Sequence, residues 1–169
     1  MPELAPQERL QPSLLDRLTD EEPHKKRESR DKRVLTVDRL RQAVLRDLGW
    51  LLNTDPSLSR EELADLPHVR TSVLNYGFRA LSGHVLSSLN IEEIEADLLA
   101  AIITFEPRIQ GKGIRVKVQV DSDRMSHNAL VFTIEGELWA YPIPLQLFLK
   151  TEVDLEDGSF TVSESDGVG

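Results

Sequence analysis

The 169-residue sequence lacks cysteine altogether. Without thiols the chain can form no disulfide, no catalytic thiolate and no cysteine-bearing zinc or iron–sulfur site. Its histidines, at positions 24, 68, 84 and 127, include no pair at the i, i+4 spacing that places two metal ligands on one helix face. The sequence therefore predicts neither a metal site nor a cofactor.

Long hydrophobic runs are also missing. The purest apolar run, Leu98 to Ile103, is much shorter than the roughly 20 residues that a membrane-spanning helix needs. The first residues lack the charged start, apolar stretch and cleavage site of a signal peptide. We therefore expect a cytoplasmic protein without direct membrane insertion, built as one domain with tails.

Positive charge is absent from the C-terminal end of the sequence. Residues 152–169 contain six carboxylates and no Lys or Arg, whereas residues 1–33 carry eight acidic and eight basic side chains. All of the net charge of −9 therefore arises beyond residue 33. Such a surface repels a phosphate backbone, so nucleic acid is not an expected partner. Residues 164–169 are predicted to be an acidic, solubilising tail.

Residues 1–33 are predicted to form a flexible N-terminal arm. They contain four prolines, and ten of the thirteen residues 21–33 are charged, so they bury too little apolar surface to offset the entropy of ordering. Within the arm, Leu14, Leu15 and Leu18 form a short amphipathic patch that Ser13 can cap. Two interpretations remain open for this patch, a transient helical turn or a docking peptide that folds into a partner's groove.

The ordered domain is predicted to span residues 34–163 and to begin with an amphipathic helix. Apolar residues recur at spacings of three and four between charged residues, at Val37, Leu40, Val44, Leu48 and Leu51. The segment Asn53-Thr54-Asp55-Pro56 should end this helix, because proline disfavours a helical conformation in the residue before it.

A second, shorter helix is predicted to start at Ser59, which forms a capping box with Glu62, and to stop near Pro67. Residues 68–83 show no sustained period and are predicted to be an ordered loop. Apolar side chains are expected to pin this loop to the core, namely Val69, Val73, Leu74, Tyr76 and Phe78.

A third helix is predicted from its cap Asn90 to Phe105, with Ile94, Leu98 and Ile102 on one stripe. We expect it to be the most buried element. Beyond Gly113 the period changes from about 3.6 to 2, which indicates strands.

Three runs of alternating residues predict an antiparallel sheet. The inward faces are expected to contain Ile114, Val116, Val118 and Val120, then Leu130, Phe132 and Ile134, then Leu147, Leu149, Thr151, Val153 and Leu155. Asp157-Gly158 predicts a tight hairpin and Gly136 a bulge, while Pro142 and Pro144 belong at a strand start or edge. Because helices precede strands, the predicted class is α+β, with N-terminal helices packed on a small antiparallel sheet behind a disordered arm.

The segment Glu106-Pro107-Arg108 is the main candidate site. A desolvated glutamate after an apolar helix could serve as a general acid, which opens the possibility of a glycoside hydrolase. Such an enzyme usually needs a second carboxylate at a defined separation, and the candidates, Asp121, Asp123 and Glu135, are marked by nothing except their charge. An ion pair between Glu106 and Arg108 is the simpler interpretation, with Pro107 ending the helix sharply. No catalytic residue is therefore assigned.

Four segments together resemble the TssE family of bacterial type VI secretion systems. They are Ser72-Val73-Leu74-Asn75-Tyr76-Gly77, Leu81-Ser82-Gly83, Phe105-Glu106-Pro107-Arg108-Ile109 and Leu149-Lys150-Thr151-Glu152-Val153-Asp154-Leu155. The resemblance covers roughly residues 34–162 and the Ser13–Leu18 patch. This family is similar to a wedge protein of contractile phage baseplates and is often labelled lysozyme-like.

The resemblance implies a structural, non-enzymatic baseplate subunit on the cytoplasmic side of the inner membrane. Its implied partners are the baseplate proteins TssF, TssG and TssK and the sheath proteins TssB and TssC. The sheath contact in this family is thought to use strand sharing, which suits an antiparallel sheet with accessible edges. Our hypothesis is that Glu106 and Arg108 hold the helix–sheet junction and meet a neighbouring subunit.

Overall fold

The computed structural model describes residues 13–19, 24, 36–59, 61–110, 113–119, 129–139 and 144–165. Within these residues the chain forms four α-helices and one four-stranded antiparallel sheet. The helices are α1 (Leu14–Leu18), α2 (Val37–Leu52), α3 (Pro67–Arg70) and α4 (Ile91–Phe105), and the strands are β1 (Arg115–Gln119), β2 (Ala129–Leu138), β3 (Leu145–Asp154) and β4 (Phe160–Glu164). The predicted α+β class is confirmed.

The two predicted tails lie largely outside the described residues. Of the predicted N-terminal arm, only residues 13–19 and 24 are described. Of the predicted acidic tail, Glu164 is the last residue of β4 and Ser165 follows it. Asp121, Asp123 and Pro142 also fall outside the described residues, as does Val120 of the first predicted strand.

α2 is the amphipathic helix that the sequence predicts. Thr36 caps it by accepting a hydrogen bond from the backbone N–H of Arg39 at 3.3 Å. Asn53 ends it, and the Asn53 side chain bonds both the backbone N–H and the backbone C=O of Phe160, each at 2.9 Å. The helix end is thereby tied to β4. Four apolar side chains of the predicted stripe are buried, Leu40, Val44, Leu48 and Leu51, and burying each contributes about 1.5–3 kcal/mol.

The prediction of a helix from Ser59 to Pro67 is wrong. Its capping box does form, because the N–H of Ser59 donates to the Glu62 carboxylate at 2.8 Å and the N–H of Glu62 donates to the Ser59 hydroxyl at 3.3 Å. Residues 61–65 nevertheless form turns, and α3 begins at Pro67 instead of ending there. Leu63 is the one buried side chain among residues 61–66, which is too little packing to stabilise a short helix.

The loop after α3 is held through its backbone. Gly77 has a φ of +138°, and a Cβ atom there would lie 2.2 Å from the backbone oxygen of Thr54. The N–H of Phe78 donates to the same oxygen at 2.9 Å, and the Phe78 side chain is buried. Val73 and Leu74, in contrast, are 84% and 68% exposed, so the prediction that they pin the loop is wrong.

α4 begins at its predicted cap, since the Asn90 side chain accepts from the N–H of Glu93 at 3.3 Å. Its stripe of Ile94, Leu98 and Ile102 is fully buried. The prediction that this helix is the most buried element is wrong, because it has three buried residues where α2 has six. Ile103, on the other side of α4, is 48% exposed.

The sheet is a meander with the strand order β1-β2-β3-β4, each strand antiparallel to the next. One face carries the core, as the alternation predicts, with Leu130, Phe132, Ile134, Leu147, Leu149 and Val153 buried. α2 lies along β4 and α4 lies along β1. The predicted hairpin at Asp157-Gly158 is confirmed, with Gly158 at a φ of +79° and its N–H donating to Asp154 at 2.8 Å.

Gly136 does not form the predicted bulge. The pairing of β2 with β3 continues through it without interruption, with Gly136 opposite Leu147. A Cβ atom at this position would instead lie 2.9 Å from Cγ2 of Ile109. The glycine therefore makes room for the segment that enters the sheet after α4.

We expect Gly77→Ala to lower the free energy of unfolding by about 2–3 kcal/mol, because the backbone conformation is strained for any side chain and the Cβ atom meets a fixed carbonyl. The matched control is Gly49→Ala in α2, where a Cβ atom has open space and should stabilise the helix by about 0.5–1 kcal/mol. Urea denaturation measures both changes. Equal effects at the two positions would contradict this account of the loop.

Candidate functional site

Glu106 is placed at the C-terminal cap of α4. Its backbone N–H donates to the Ile102 carbonyl at 2.8 Å, and the proline that follows cannot continue the helical ladder. The chain then turns, and the N–H of Ile109 donates to the Glu106 carbonyl at 3.2 Å. Only 3% of Glu106 is exposed. A buried carboxylate needs close partners.

Arg108 is the immediate partner of Glu106. Oε1 of Glu106 accepts from the backbone N–H of Arg108 at 3.1 Å and from its Nε at 2.7 Å. Oε2 of Glu106 accepts from Nη2 of Arg108. The ion pair predicted from the sequence is confirmed, and it is bidentate, which fixes both side chains in one geometry.

A second carboxylate completes the site from α2. Oδ2 of Asp47 accepts from Nη2 of Arg108 at 2.6 Å, and Oδ1 of Asp47 lies 2.8 Å from Nη2 of Arg46. Burial by itself would lower the pKa of Arg108, but hydrogen bonds and charges from Glu106 and Asp47 outweigh it and raise that pKa above its ordinary value. Arg108 therefore stays charged and joins the end of α4 to the middle of α2.

Tyr76 packs beside the ion pairs of Arg108 with Glu106 and Asp47. Its hydroxyl donates to the backbone oxygen of Asp47 at 3.3 Å, and its ring meets Phe105 edge-on at 5.4 Å between centroids. Burial raises the pKa of Tyr76, and the negative charges of Asp47 and Glu106 raise it further. The neutral phenol is thus favoured as a hydrogen-bond donor beside the ion pairs.

The Glu106-Pro107-Arg108 segment, which we call the joint, is also fastened to the sheet. The Arg108 carbonyl accepts from the N–H of Trp139 at 2.7 Å, and the N–H of Gln110 donates to the Glu137 carbonyl at 2.7 Å. Ile109 is paired with Leu138 as an isolated antiparallel bridge. Residues 108–110 therefore continue the pairing with β2 beyond the N-terminal end of β1, as the predicted helix-to-sheet turn requires.

A cleft of about 440 Å³ opens beside the joint. Its apolar lining includes Leu40, Trp50, Leu51, Phe105 and Pro107, and its polar lining includes Asp47, Glu106 and Arg108. From the other side, Ser13 and Leu15 of the predicted docking patch also line it. The three leucines of that patch are otherwise exposed, at 71% for Leu14, 47% for Leu15 and 75% for Leu18.

A family model described as "Baseplate wedge protein gp25" matches residues 38–142, which is more than half of the chain. The chain belongs to this family of baseplate wedge proteins. No curated protein and no solved structure matches it. The match contains α2, the joint and β2, whereas α1, β3 and β4 lie outside it. Membership in the gp25 family gives the chain a structural role in a baseplate.

The geometry of the joint also suits a structural role better than acid catalysis. Both oxygens of Glu106 accept hydrogen bonds from Arg108, and the neighbouring carboxylate, Asp47, shares the same guanidinium. Glu135, a predicted second carboxylate, instead faces Arg115 across β1 and β2 at 3.8 Å. Among the described residues, no group of three His, Asp or Glu side chains could hold a metal ion. No described helix combines the length and apolar character needed to cross a membrane.

Asp47 and Tyr76 are the site residues that the sequence did not reveal. Asp47 reads as one of several charges on the solvent face of an amphipathic helix, and 61 positions separate it from Arg108. Tyr76 reads as a loop aromatic that pins the chain to the core. No local spacing could have linked either residue to Glu106, because the contacts are made only when α2, the loop and α4 pack together.

We expect Arg108→Met to lower the free energy of unfolding by about 3 kcal/mol, because it leaves the Glu106 charge buried without its partner. Glu106→Gln in the same chain should recover about 2 kcal/mol of that loss, so the double variant should be more stable than Arg108→Met alone and the coupling free energy of the double-mutant cycle should be at least that large. Urea denaturation of the four proteins measures it.

The matched control is Arg115→Met. Arg115 also pairs with a glutamate, but its side chain is 76% exposed, so the loss should stay below about 0.5 kcal/mol. Additive losses for Arg108→Met and Glu106→Gln would show that the two side chains are not coupled.

Proposed function

We propose that this gp25-family chain is a subunit of a type VI secretion baseplate that joins TssF, TssG and TssK to the contractile sheath of TssB and TssC. It would act at the cytoplasmic side of the inner membrane and help to initiate sheath assembly. The family match supports the baseplate role, and the four sequence segments that resemble the TssE family support this type of machine.

The observation that supports the sheath contact is that the helical layer covers only part of each sheet edge. On the edge strand β1, the N–H of Val118 donates to the Glu95 carboxylate of α4 at 2.7 Å. On the edge strand β4, Asn53, the C-terminal cap of α2, covers Phe160. A helix thus closes part of each edge.

Beyond Phe160 the edge strand β4 has further backbone groups that face outwards. In an antiparallel strand alternate residues bond outwards, so the backbone groups of Val162 and Glu164 face the same way as those of Phe160. Ser165 confirms the alternation, because its N–H turns inwards to the Phe148 carbonyl at 2.9 Å. Within the described residues, Val162 and Glu164 have no cap comparable to Asn53. We therefore assign strand sharing with the sheath to this edge.

The joint would contact the baseplate proteins, on the side away from the sheath. Glu106 is too deeply buried to meet a neighbouring subunit directly, whereas 24% of the Arg108 side chain remains exposed. We assign the contact to Arg108, with Glu106 and Asp47 orienting its guanidinium. This narrows the initial hypothesis, in which both members of the pair meet the neighbour.

We expect Glu164→Pro to abolish sheath assembly, because it removes an outward N–H from the β4 edge while leaving the inward ladder intact. The matched control is Glu164→Ala, which removes the same side chain and its 3.0 Å ion pair with Arg41 but keeps the N–H. Purified TssB and TssC are mixed with the assembled baseplate complex, and sheath length and number are scored by electron microscopy.

The control should assemble sheaths like the unmodified chain, and both variants should keep their free energy of unfolding within about 1 kcal/mol. Normal sheaths with Glu164→Pro would refute the assignment of the β4 edge. Failure of the unmodified chain to bind any of TssF, TssG and TssK would refute the proposed baseplate itself.

A further inference from the structure

α1 faces the domain with its acidic side chain. Oδ1 of Asp16 accepts from Nη1 of Arg46 at 2.5 Å, and the Ser13 hydroxyl donates to the other Asp16 oxygen at 2.6 Å. The Asp16 side chain is only 18% exposed, whereas Leu14 and Leu18 are more than 70% exposed. This reverses the orientation expected of an amphipathic helix that buries its leucines against its own domain.

The surface beneath α1 combines a cation with apolar side chains, and these can bind a helical turn such as α1. Arg46 lies over the ring of Trp50, with its guanidinium carbon 4.9 Å from the ring centroid, which holds the cation at the rim of the cleft. Below it the cleft offers the apolar side chains of Leu40, Leu51 and Phe105. A carboxylate for the rim and one leucine for the floor are the groups that this surface can bind, and α1 supplies them as Asp16 and Leu15.

The fit of α1 is incomplete. Leu15 lines the cleft but remains 47% exposed, and the cleft keeps a volume of about 440 Å³. One partly exposed ion pair and one half-buried leucine are weak contacts. α1 and α2 belong to one chain and are joined by residues 19–36. Even a weak contact is therefore populated, because a covalent connection makes binding intramolecular and raises the effective concentration of α1 at the cleft.

The same contacts reach the joint. Asp16 pairs with Arg46, Arg46 with Asp47, and Asp47 with Arg108. Charges of alternating sign therefore run from α1 to the joint, and a segment that replaces α1 would contact the same chain of ion pairs. Hydrogen bonds from Arg46 and Ser13 lower the pKa of Asp16 although burial acts in the opposite direction, so Asp16 stays ionised at neutral pH.

We propose that this cleft is a receptor for a short helical turn that presents a carboxylate beside a leucine, and that α1 occupies it in the free subunit until a partner segment of the same chemistry replaces it. Displacement would uncover Leu15 beside Leu14 and Leu18, which are already exposed. The proposal goes beyond the proposed function and does not depend on it, since the cleft, α1 and their contacts all belong to this one chain.

The test uses the full-length protein labelled with ¹⁵N and an unlabelled peptide of residues 11–20. The two tryptophan indole N–H signals are the readout, because Trp50 lines the cleft whereas Trp139 does not. In the Asp16→Lys protein α1 should leave the cleft, which shifts the Trp50 signal before any peptide is added.

The peptide should then bind the Asp16→Lys protein at least five-fold more tightly than the unmodified protein, where α1 competes. A peptide that carries the same Asp16→Lys change should not bind, and Arg46→Ala in the Asp16→Lys protein should abolish binding. The matched control combines Asp16→Lys with Arg79→Ala, which removes an arginine of similar side-chain exposure, 40% against 36% for Arg46. It should leave peptide affinity unchanged.

Three results would overturn the proposal. The first is a Trp50 signal that does not move in the Asp16→Lys protein. The second is equal peptide affinity for the Asp16→Lys and unmodified proteins. The third is that the peptide carrying the Asp16→Lys change binds the Asp16→Lys protein as tightly as the unmodified peptide does. Asp16 lies in α1, outside the hydrophobic core, so the Asp16→Lys protein should unfold at the same urea concentration as the unmodified protein. The experiment contains no baseplate or sheath protein, so its failure would leave the proposed function untouched.

Discussion

The guanidinium of Arg108 lies between two carboxylates from different parts of the chain, Glu106 at the end of α4 and Asp47 in the middle of α2. Removing a carboxylate as buried as Glu106 from water is costly. The bidentate pair with Arg108 offsets this cost, and the second contact of Arg108, with Asp47, forms only while α2 keeps its position beside the end of α4. The cluster therefore links the helical layer to the sheet, and the hydrogen bonds of residues 108–110 to β2 continue that link into the strands.

The same physical constraint separates the two interpretations of the joint. A general acid must reach a substrate oxygen, whereas both Glu106 oxygens are already occupied by Arg108. A structural joint needs a fixed geometry and one exposed group, and the partly exposed Arg108 provides it. Membership in the gp25 baseplate wedge family agrees with the second arrangement. The "lysozyme-like" label thus has no counterpart in the chemistry of this site.

Much of the fold was predictable because its signals are local. Asn90 caps α4, the alternation of Leu130, Phe132 and Ile134 gives the inward face of β2, and Asp157-Gly158 gives the last hairpin. Predictions failed where a correct local signal lacked tertiary support. Ser59 and Glu62 form their capping box, yet no helix follows because Leu63 alone is buried there. Gly136 was expected to bend a strand, but it makes room for Ile109.

The candidate site also combines features that follow from the local sequence with features that depend on tertiary contacts. The sequence by itself determined the helix stop at Pro107 and the Glu106–Arg108 pair, because residues two positions apart can meet without help from the rest of the chain. In the structure they meet across the turn that the N–H of Ile109 closes on the Glu106 carbonyl. Only the tertiary structure decided that Asp47 and Tyr76 join them, that Asp16 of α1 pairs with Arg46, and that Asn53 caps β4 at Phe160. These features depend on contacts between residues about 30 to 110 positions apart, and the packing of the core brings those residues together.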